Sequence, residues 1–192
     1  MIDSKLVMQL REQTGAGVLE SKKALEETGG DIAAAIDLLR KAGTIKAAKK
    51  SDRATNEGVV HAYVHGGGKV GVLVEVLCET DFVARNPEFQ ELVHDLALQI
   101  AATNPLYVKP EDVPVEMVEK EKSIYGEEVA GKPANIVEKI VAGKLQKWYS
   151  DICLMQQAFI KDEDLTIEEV VKSKIAKLGE NIQVRRFTRY SL

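Results

Sequence analysis

Lys69-Val70-Gly71-Val72-Leu73-Val74-Glu75-Val76-Leu77-Cys78, followed by Glu79-Thr80-Asp81-Phe82-Val83-Ala84-Arg85-Asn86-Pro87-Glu88, joins a strand pattern to a helix start. Its first half sets Val70, Val72, Val74 and Val76 on one face at period two. Leu73 and Leu77 share the other face with Glu75. Such β-branched density predicts a central strand covered on both sides. The end of the stretch predicts a helix start. Asn86 suits the cap, Pro87 the first helical position, and Glu88 the positive end of the dipole. Between strand and helix lies a short segment in which Phe82 and Val83 form an apolar pair beside Asp81. Two readings of it stay open. Thr80 or Asp81 caps a helical turn and Phe82 packs inward as a staple, or Phe82 is offered to solvent for insertion into another molecule.

Upstream of this strand, Gly58–His65 alternates only partly and Gly66-Gly67-Gly68 is a turn that needs positive φ, so residues 58–78 predict a β-hairpin. Downstream, Phe89, Leu92, Val93, Leu96 and Ile100 recur at helical spacing until Asn104-Pro105. Residues 114–130 and 133–149 predict two more helices, the first acidic, and 166–178 a last one with Ile167, Val170, Val171, Ile175 and Leu178. Gly179-Glu180-Asn181 turns the chain. Ile182 to Tyr190 predicts a final strand with one buried face and one polar face bearing Arg185 and Arg189. Three strands have two edges, and helices can cover one face, so an exposed edge or face is a candidate dimerisation surface.

Upstream, residues 1–42 predict a compact helical module. Leu6, Val7 and Leu10 form the stripe of a first helix, which Thr14-Gly15-Ala16-Gly17 ends. A second carries Val18, Leu19, Ala24 and Leu25 and ends at Gly29-Gly30. Asp31 caps a third, with Ile32, Ala35, Ile36 and Leu39 on one face. Three short helices in this space resemble a bundle of the ubiquitin-associated type, in which an apolar loop such as Gly17-Val18-Leu19 is often the binding surface. Residues 43–56 are a basic linker or a continuing helix. Their Lys46, Lys49, Lys50 and Arg53 are either a solvated face or a partner-facing stripe. The whole predicts an α+β chain: helical domain 1–42, linker 43–56, and a core 57–192 of an antiparallel three-stranded sheet with helices.

The totals narrow the function classes. The chain has 192 residues and is 45% hydrophobic, enough for one or two cores. A net charge of −4 gives no basic excess for nucleic acid. No apolar run reaches the ~18 residues of a membrane span, and Met1-Ile2-Asp3-Ser4-Lys5 lacks the regions of a signal peptide. Cys78 and Cys153 are far apart and predict free thiols in a reducing cytoplasm.

No constellation for bond chemistry emerges. Gly66-Gly67-Gly68-Lys69 lacks phosphate-loop spacing, and Val70 stands where the hydroxyl residue should be. His61 and His65 lie on a strand with no third metal ligand at suitable spacing. His94 predicts a satisfied structural histidine and Cys78 a core residue. An enzyme built on Asp81 needs a partner residue and a pocket, and the sequence offers neither. No cofactor is expected.

Four stretches together carry a resemblance to a known family. They are Leu10-Arg11-Glu12-Gln13-Thr14-Gly15-Ala16-Gly17 with Lys22-Lys23-Ala24-Leu25, Ile45-Lys46-Ala47-Ala48-Lys49-Lys50, Glu79 to Asn86, and Asn181 to Phe187. In order and spacing they resemble elongation factor Ts, the guanine nucleotide exchange factor of elongation factor Tu, over nearly the whole chain. Long members have a duplicated core and an inserted helical hairpin. With one core unit, this chain resembles the short form, which is expected to pair two chains through the sheet. Ala158 stands where the family more often has proline, which bears on a local turn.

The resemblance implies a role by contact. Thr80, Asp81, Phe82 and Val83 would engage the GDP-bound partner, with Phe82 as a wedge near its magnesium site and Asp81 making polar contacts beside it. Arg11, Val18, Leu19 and Lys22 of the helical module, and Lys50, would be secondary contacts. The expected assembly is a homodimer in a two-plus-two complex, with no membrane or direct nucleic-acid contact. The rival reading is a helical adaptor without exchange activity, which explains residues 1–42 only.

Overall fold

The computed structural model describes residues 2–129, 131 and 133–192. It divides into two compact units, each drawn from separated stretches of chain. The first comprises Met1–Gly58, Leu77–Phe89 and Val171–Gln183, and the second Val59–Val76, Gln90–Val170 and Val184–Leu192.

The first unit opens with a three-helix bundle: α1 (Ser4–Thr14), α2 (Val18–Glu27) and α3 (Ile32–Ala48). Asp3 caps α1 by accepting from the Lys5 N–H at 3.0 Å, and Asp31 caps α3 by accepting from the Ala34 N–H at 3.1 Å. Gly15 ends α1 at φ 66°, donating its N–H to the Arg11 carbonyl. Val7, Leu10, Ala24, Leu25 and Ala35 form the core, with Ile2, Leu6, Ile32, Ile36, Leu38 and Leu39 packed against it. The three helical segments follow the predicted pattern, except that Val18 and Leu19 of the second are exposed and only Ala24 and Leu25 of its apolar set are buried. α3 runs through Gly43 to Ala48, so the first part of the basic stretch continues the helix.

The rest of this unit gathers the end of β2 (Val70–Cys78), a short helix α4 (Asp81–Ala84), the start of α5 (Pro87–Thr103), the end of α8 (Ile167–Leu178) and the start of β5 (Ile182–Ser191). α8 lies close to two bundle helices. A Cβ on Gly43 would sit 3.6 Å from that of Ala176, and one on Gly15 would collide with the Lys177 side chain. Lys177 in turn reaches Glu88 at 2.6 Å and, with Lys174, holds that carboxyl below its usual range.

The second unit holds the body of a three-stranded sheet in the order β1-β2-β5, where β1 is Glu57–His65. Gly66, Gly67 and Gly68 all have positive φ and make the β1–β2 turn. The Leu192 N–H donates to the Lys69 carbonyl, and the Asn181 N–H to Glu79, so β5 runs antiparallel to β2. Val72, Val74 and Val76 are buried, and α5 lies over that face, its His94 against His61 and its Ala101 carbonyl taking the Arg189 guanidinium.

Two expectations about the sheet change. Among the described residues the central strand is not covered on both sides. Leu73 is 49% exposed, and Val60 and Val64 of β1 are exposed with it. Arg185 and Arg189 do not share one polar face. Arg185 and Arg186 both pair with Glu75, which interrupts the alternation, and Arg189 turns to the α5 side.

α6 (Val115–Glu128) and α7 (Ala134–Ile152) pack together as the predicted helical pair. Ala130, at the predicted end of the first, lies outside the described residues. A small antiparallel hairpin, β3 (Ala158–Phe159) and β4 (Asp162–Thr166), was not expected, and Ala158 opens its first strand instead of sitting in a turn. Buried Gln99 of α5 secures it, donating to Gln157 Oε1 and the Ala158 carbonyl and accepting from the Ile160 N–H.

Candidate partner-contact site

β2 ends at Cys78, and Thr80 is fully extended, at φ −129° and ψ 156°. The Thr80 hydroxyl then caps α4, accepting from the Val83 N–H at 3.4 Å. Two carbonyls close the single turn: Thr80 accepts from the Ala84 N–H and Asp81 from the Arg85 N–H, each at 3.1 Å. Asn86 ends that turn and starts the next helix, its Oδ1 accepting from the Glu88 N–H at 2.8 Å. Cys78 donates its thiol proton to the Thr80 carbonyl at 3.2 Å, and burial pushes that thiol up to about 11.

The cap reading therefore holds, and the staple reading does not. Val83 is 8% exposed and Ala84 is buried, so these two anchor the turn. Phe82 points away and is 81% exposed. The apolar pair divides into an anchor and a projection. Asp81 lies beside the projection in an i,i+4 pair with Arg85 at 2.9 Å. Both partners of that pair are largely exposed, so it orients the carboxylate more than it stabilises the fold.

A residue that the sequence reading missed holds this turn from behind. Glu180 Oε2 accepts from the backbone N–H groups of Glu79 at 3.1 Å and Thr80 at 3.0 Å, while its Oε1 accepts from the Thr80 hydroxyl at 2.6 Å. The next residue reciprocates, its N–H donating to Glu79 Oε1 at 2.6 Å. In the sequence Glu180 appears only as part of a polar turn, about a hundred positions from its partners.

The secondary candidates divide too. Arg11 lies in the last turn of α1 and Lys22 on α2, both exposed. Val18 and Leu19 form the first turn of α2, and Leu19 is 82% exposed. Lys50 is engaged within the chain, its Nζ donating to the Gly179 carbonyl at 2.6 Å. All nine predicted contact residues belong to the first compact unit.

The histidines do not gather as spaced in the sequence. His61 Nε2 meets His94 Nδ1 at 3.3 Å, and Tyr63 bonds His65 at 2.9 Å. His94, expected to be a satisfied structural residue, is exposed. Partial burial, then the neighbouring His94, hold His61 below its ordinary value. Among the described residues no group of three or more His, Cys, Asp or Glu could hold a metal ion, and no helix is long and apolar enough to cross a membrane.

Fold and site together define an α+β protein that presents one aromatic side chain on a braced turn, beside a helical bundle with its own exposed apolar residues. The elongation factor Ts family model matches residues 8–190. Elongation factor Ts of Carboxydothermus hydrogenoformans is 53% identical over 194 residues, covering 100% of this chain and 89% of the relative. That of Thermotoga petrophila is 54% identical over 191 residues, covering 100% and 96%, and that of Coprothermobacter proteolyticus 55% over 193 residues, covering 100% and 98%. The chain belongs to the elongation factor Ts family, and with it to the elongation factors of protein biosynthesis.

Proposed function

We propose that this protein is a guanine nucleotide exchange factor for elongation factor Tu and acts through contact alone, in the cytoplasm. The observation that carries the reading is Phe82, 81% exposed on a turn whose other apolar residues are buried. Burying a side chain of this size contributes ~1.5–3 kcal/mol, which is available only when a partner supplies the pocket. Phe82 wedges between helices of the GDP-bound partner near its magnesium site, and Asp81 makes polar contacts beside it. Moving the magnesium ion removes a clamp on the β-phosphate, and GDP leaves. Thr80 and Val83 set the wedge's position from within this chain. Arg11, Val18, Leu19 and Lys22 widen the contact, and Lys50 acts through the loop it holds. The coupling is reciprocal: whatever this protein takes from GDP affinity, GDP takes from the affinity for this protein.

The test is release of fluorescent GDP from elongation factor Tu, chased with unlabelled GDP. The protein is expected to accelerate release. Phe82→Ala is expected to raise the concentration needed for half-maximal acceleration about tenfold or more, as for an aromatic hot spot. No acceleration by the unmodified protein sinks the exchange reading. An unchanged response in both Phe82→Ala and Asp81→Ala sinks the wedge alone.

We further propose that the open sheet face pairs two copies of the chain, giving a two-plus-two complex with the partner. Exposed Val60, Val64 and Leu73 on the face away from α5 support it.

A further inference from the structure

A four-residue helix has too few internal bonds to hold its own shape, since helix nucleation is unfavourable and short helices depend on tertiary contacts. Val83 and Ala84 anchor one side of α4, but a wedge also needs its pitch fixed. The bonds that fix it lead away from the turn. The Thr80 hydroxyl has one proton, and it goes to Glu180. The hydroxyl oxygen then faces the Val83 N–H. Glu180 also takes the N–H groups of Glu79 and Thr80, so three donors converge on one carboxylate. Charge-assisted bonds of this kind are about twice as strong as neutral ones.

The loop that carries Glu180 is itself tied to the helical bundle's side of the unit. Gly179 makes the turn from α8 at φ 82°, and its carbonyl takes the Lys50 ammonium. Asn181 is 2% exposed, and its side-chain amide donates to the carbonyls of Ser51 at 3.1 Å and Arg53 at 2.9 Å. Arg53 reaches back to Glu79 at 3.5 Å. The chain just after α3, the α8–β5 loop and the Phe82 turn are thus three strands of one clasp.

Resting on the reading of Phe82 as the contact residue, we propose that Glu180 is a positioning residue for nucleotide exchange. It fixes the pitch of the Phe82 turn and, through the Gly179–Asn181 loop, locks that turn to the bundle so that both contact surfaces meet the partner as one block. Pre-ordering both surfaces removes an ordering cost that a loose turn would meet on binding.

The experiment measures GDP release from elongation factor Tu with the full-length protein. Glu180→Ala is expected to lower the limiting release rate about tenfold, the scale of one lost charge-assisted hydrogen bond. Glu180→Asp keeps the charge but withdraws it by one methylene group, and is expected to be as slow; it serves if the alanine variant does not fold. Glu180→Gln leaves an oxygen for the two backbone N–H groups and is expected to recover most of the rate. In a Phe82→Ala background, Glu180→Ala is expected to slow release no further, because the residue it positions is already gone. A wild-type rate in Glu180→Ala or Glu180→Asp overturns the brace, as does the same fractional loss with and without Phe82. An unchanged response, in limiting rate and in half-maximal concentration, of both Phe82→Ala and Asp81→Ala overturns the wedge reading and the brace with it.

Discussion

Adjacent residues 82 and 83 have opposite tasks, and stability separates them. Val83 is buried, and removing two of its methyl carbons is expected to destabilise the fold by about 2 kcal/mol, from lost transfer energy and an unfilled cavity. Phe82 is exposed and makes no comparable contribution to the isolated chain, so Phe82→Ala is expected to stay within about 0.5 kcal/mol of the parent. Denaturant unfolding of the two variants measures this directly. A large loss from Phe82→Ala would mean that the ring packs inward in solution. The sequence made this division only half legible. A strand end, a capping threonine and a helix start predict a short turn, but at one helical turn's length Phe82 and Val83 are equivalent in pattern. What separates them is the tilt of α4, set by Glu180, and nothing near residue 80 signals a carboxylate at 180. Lys50 illustrates the same limit. A charge run reads as a solvated face or a partner stripe, whereas its actual acceptor is the Gly179 carbonyl, 129 positions away.

Among the elements, those with strong local signals were legible: α1 to α3 with the Asp31 cap and the glycine stops, the triple-glycine hairpin, and α5 from its Asn-Pro start. β3 and β4 were not. Asp162-Glu163-Asp164 has no apolar alternation, and the hairpin forms because Gln99 supplies polar partners from α5. The contact of β1 with α5 was also hidden, because His61 and His94 are 33 positions apart, and it carries a pH dependence. His61 titrates below its ordinary value in the folded chain, with His94 against its ring and Tyr63 against that of His94. The unfolded chain therefore takes up that proton first as pH falls. The contribution is present above about 6.5, the ordinary value for histidine, and is lost as pH falls below it. The stability gap between the parent and His61→Gln is expected to narrow from pH 7.5 to pH 5.5, followed by thermal midpoint. Glu75, held low chiefly by Arg186, and Glu88, held low chiefly by Lys177, lose their contributions only below the ordinary carboxylate range, outside this window. A gap that widens toward pH 5.5 would contradict the assignment.

For the molecule as a whole, the two units carry different proposed contacts. The Phe82 turn and the helical bundle belong to the first, and the open face of the sheet to the second. On β2, every second residue from Val72 to Val76 is buried toward α5, while Leu73 on the reverse side is half exposed and flanked by the exposed Val60 and Val64 of β1. A sheet with one wet face usually alternates apolar with polar residues. Here Val60, Val64 and Leu73 stand uncovered beside the Glu75–Arg185 pair, so the face carries an apolar patch that a wet face does not need. A second copy offers a self-complementary cover, since a two-fold axis sets the same patch against itself. Leu73→Asp tests this at the centre of the patch. A carboxylate there costs little in a lone chain, where the position is open to water, but is strongly unfavourable opposite its own copy in a dry interface. Light scattering is expected to give a dimer for the parent and a monomer for Leu73→Asp, with the same helical content by circular dichroism. A parent that runs as a monomer in both the free state and the complex with elongation factor Tu would remove the two-plus-two assembly. It would leave the Phe82 turn untouched, because that turn lies in the other unit.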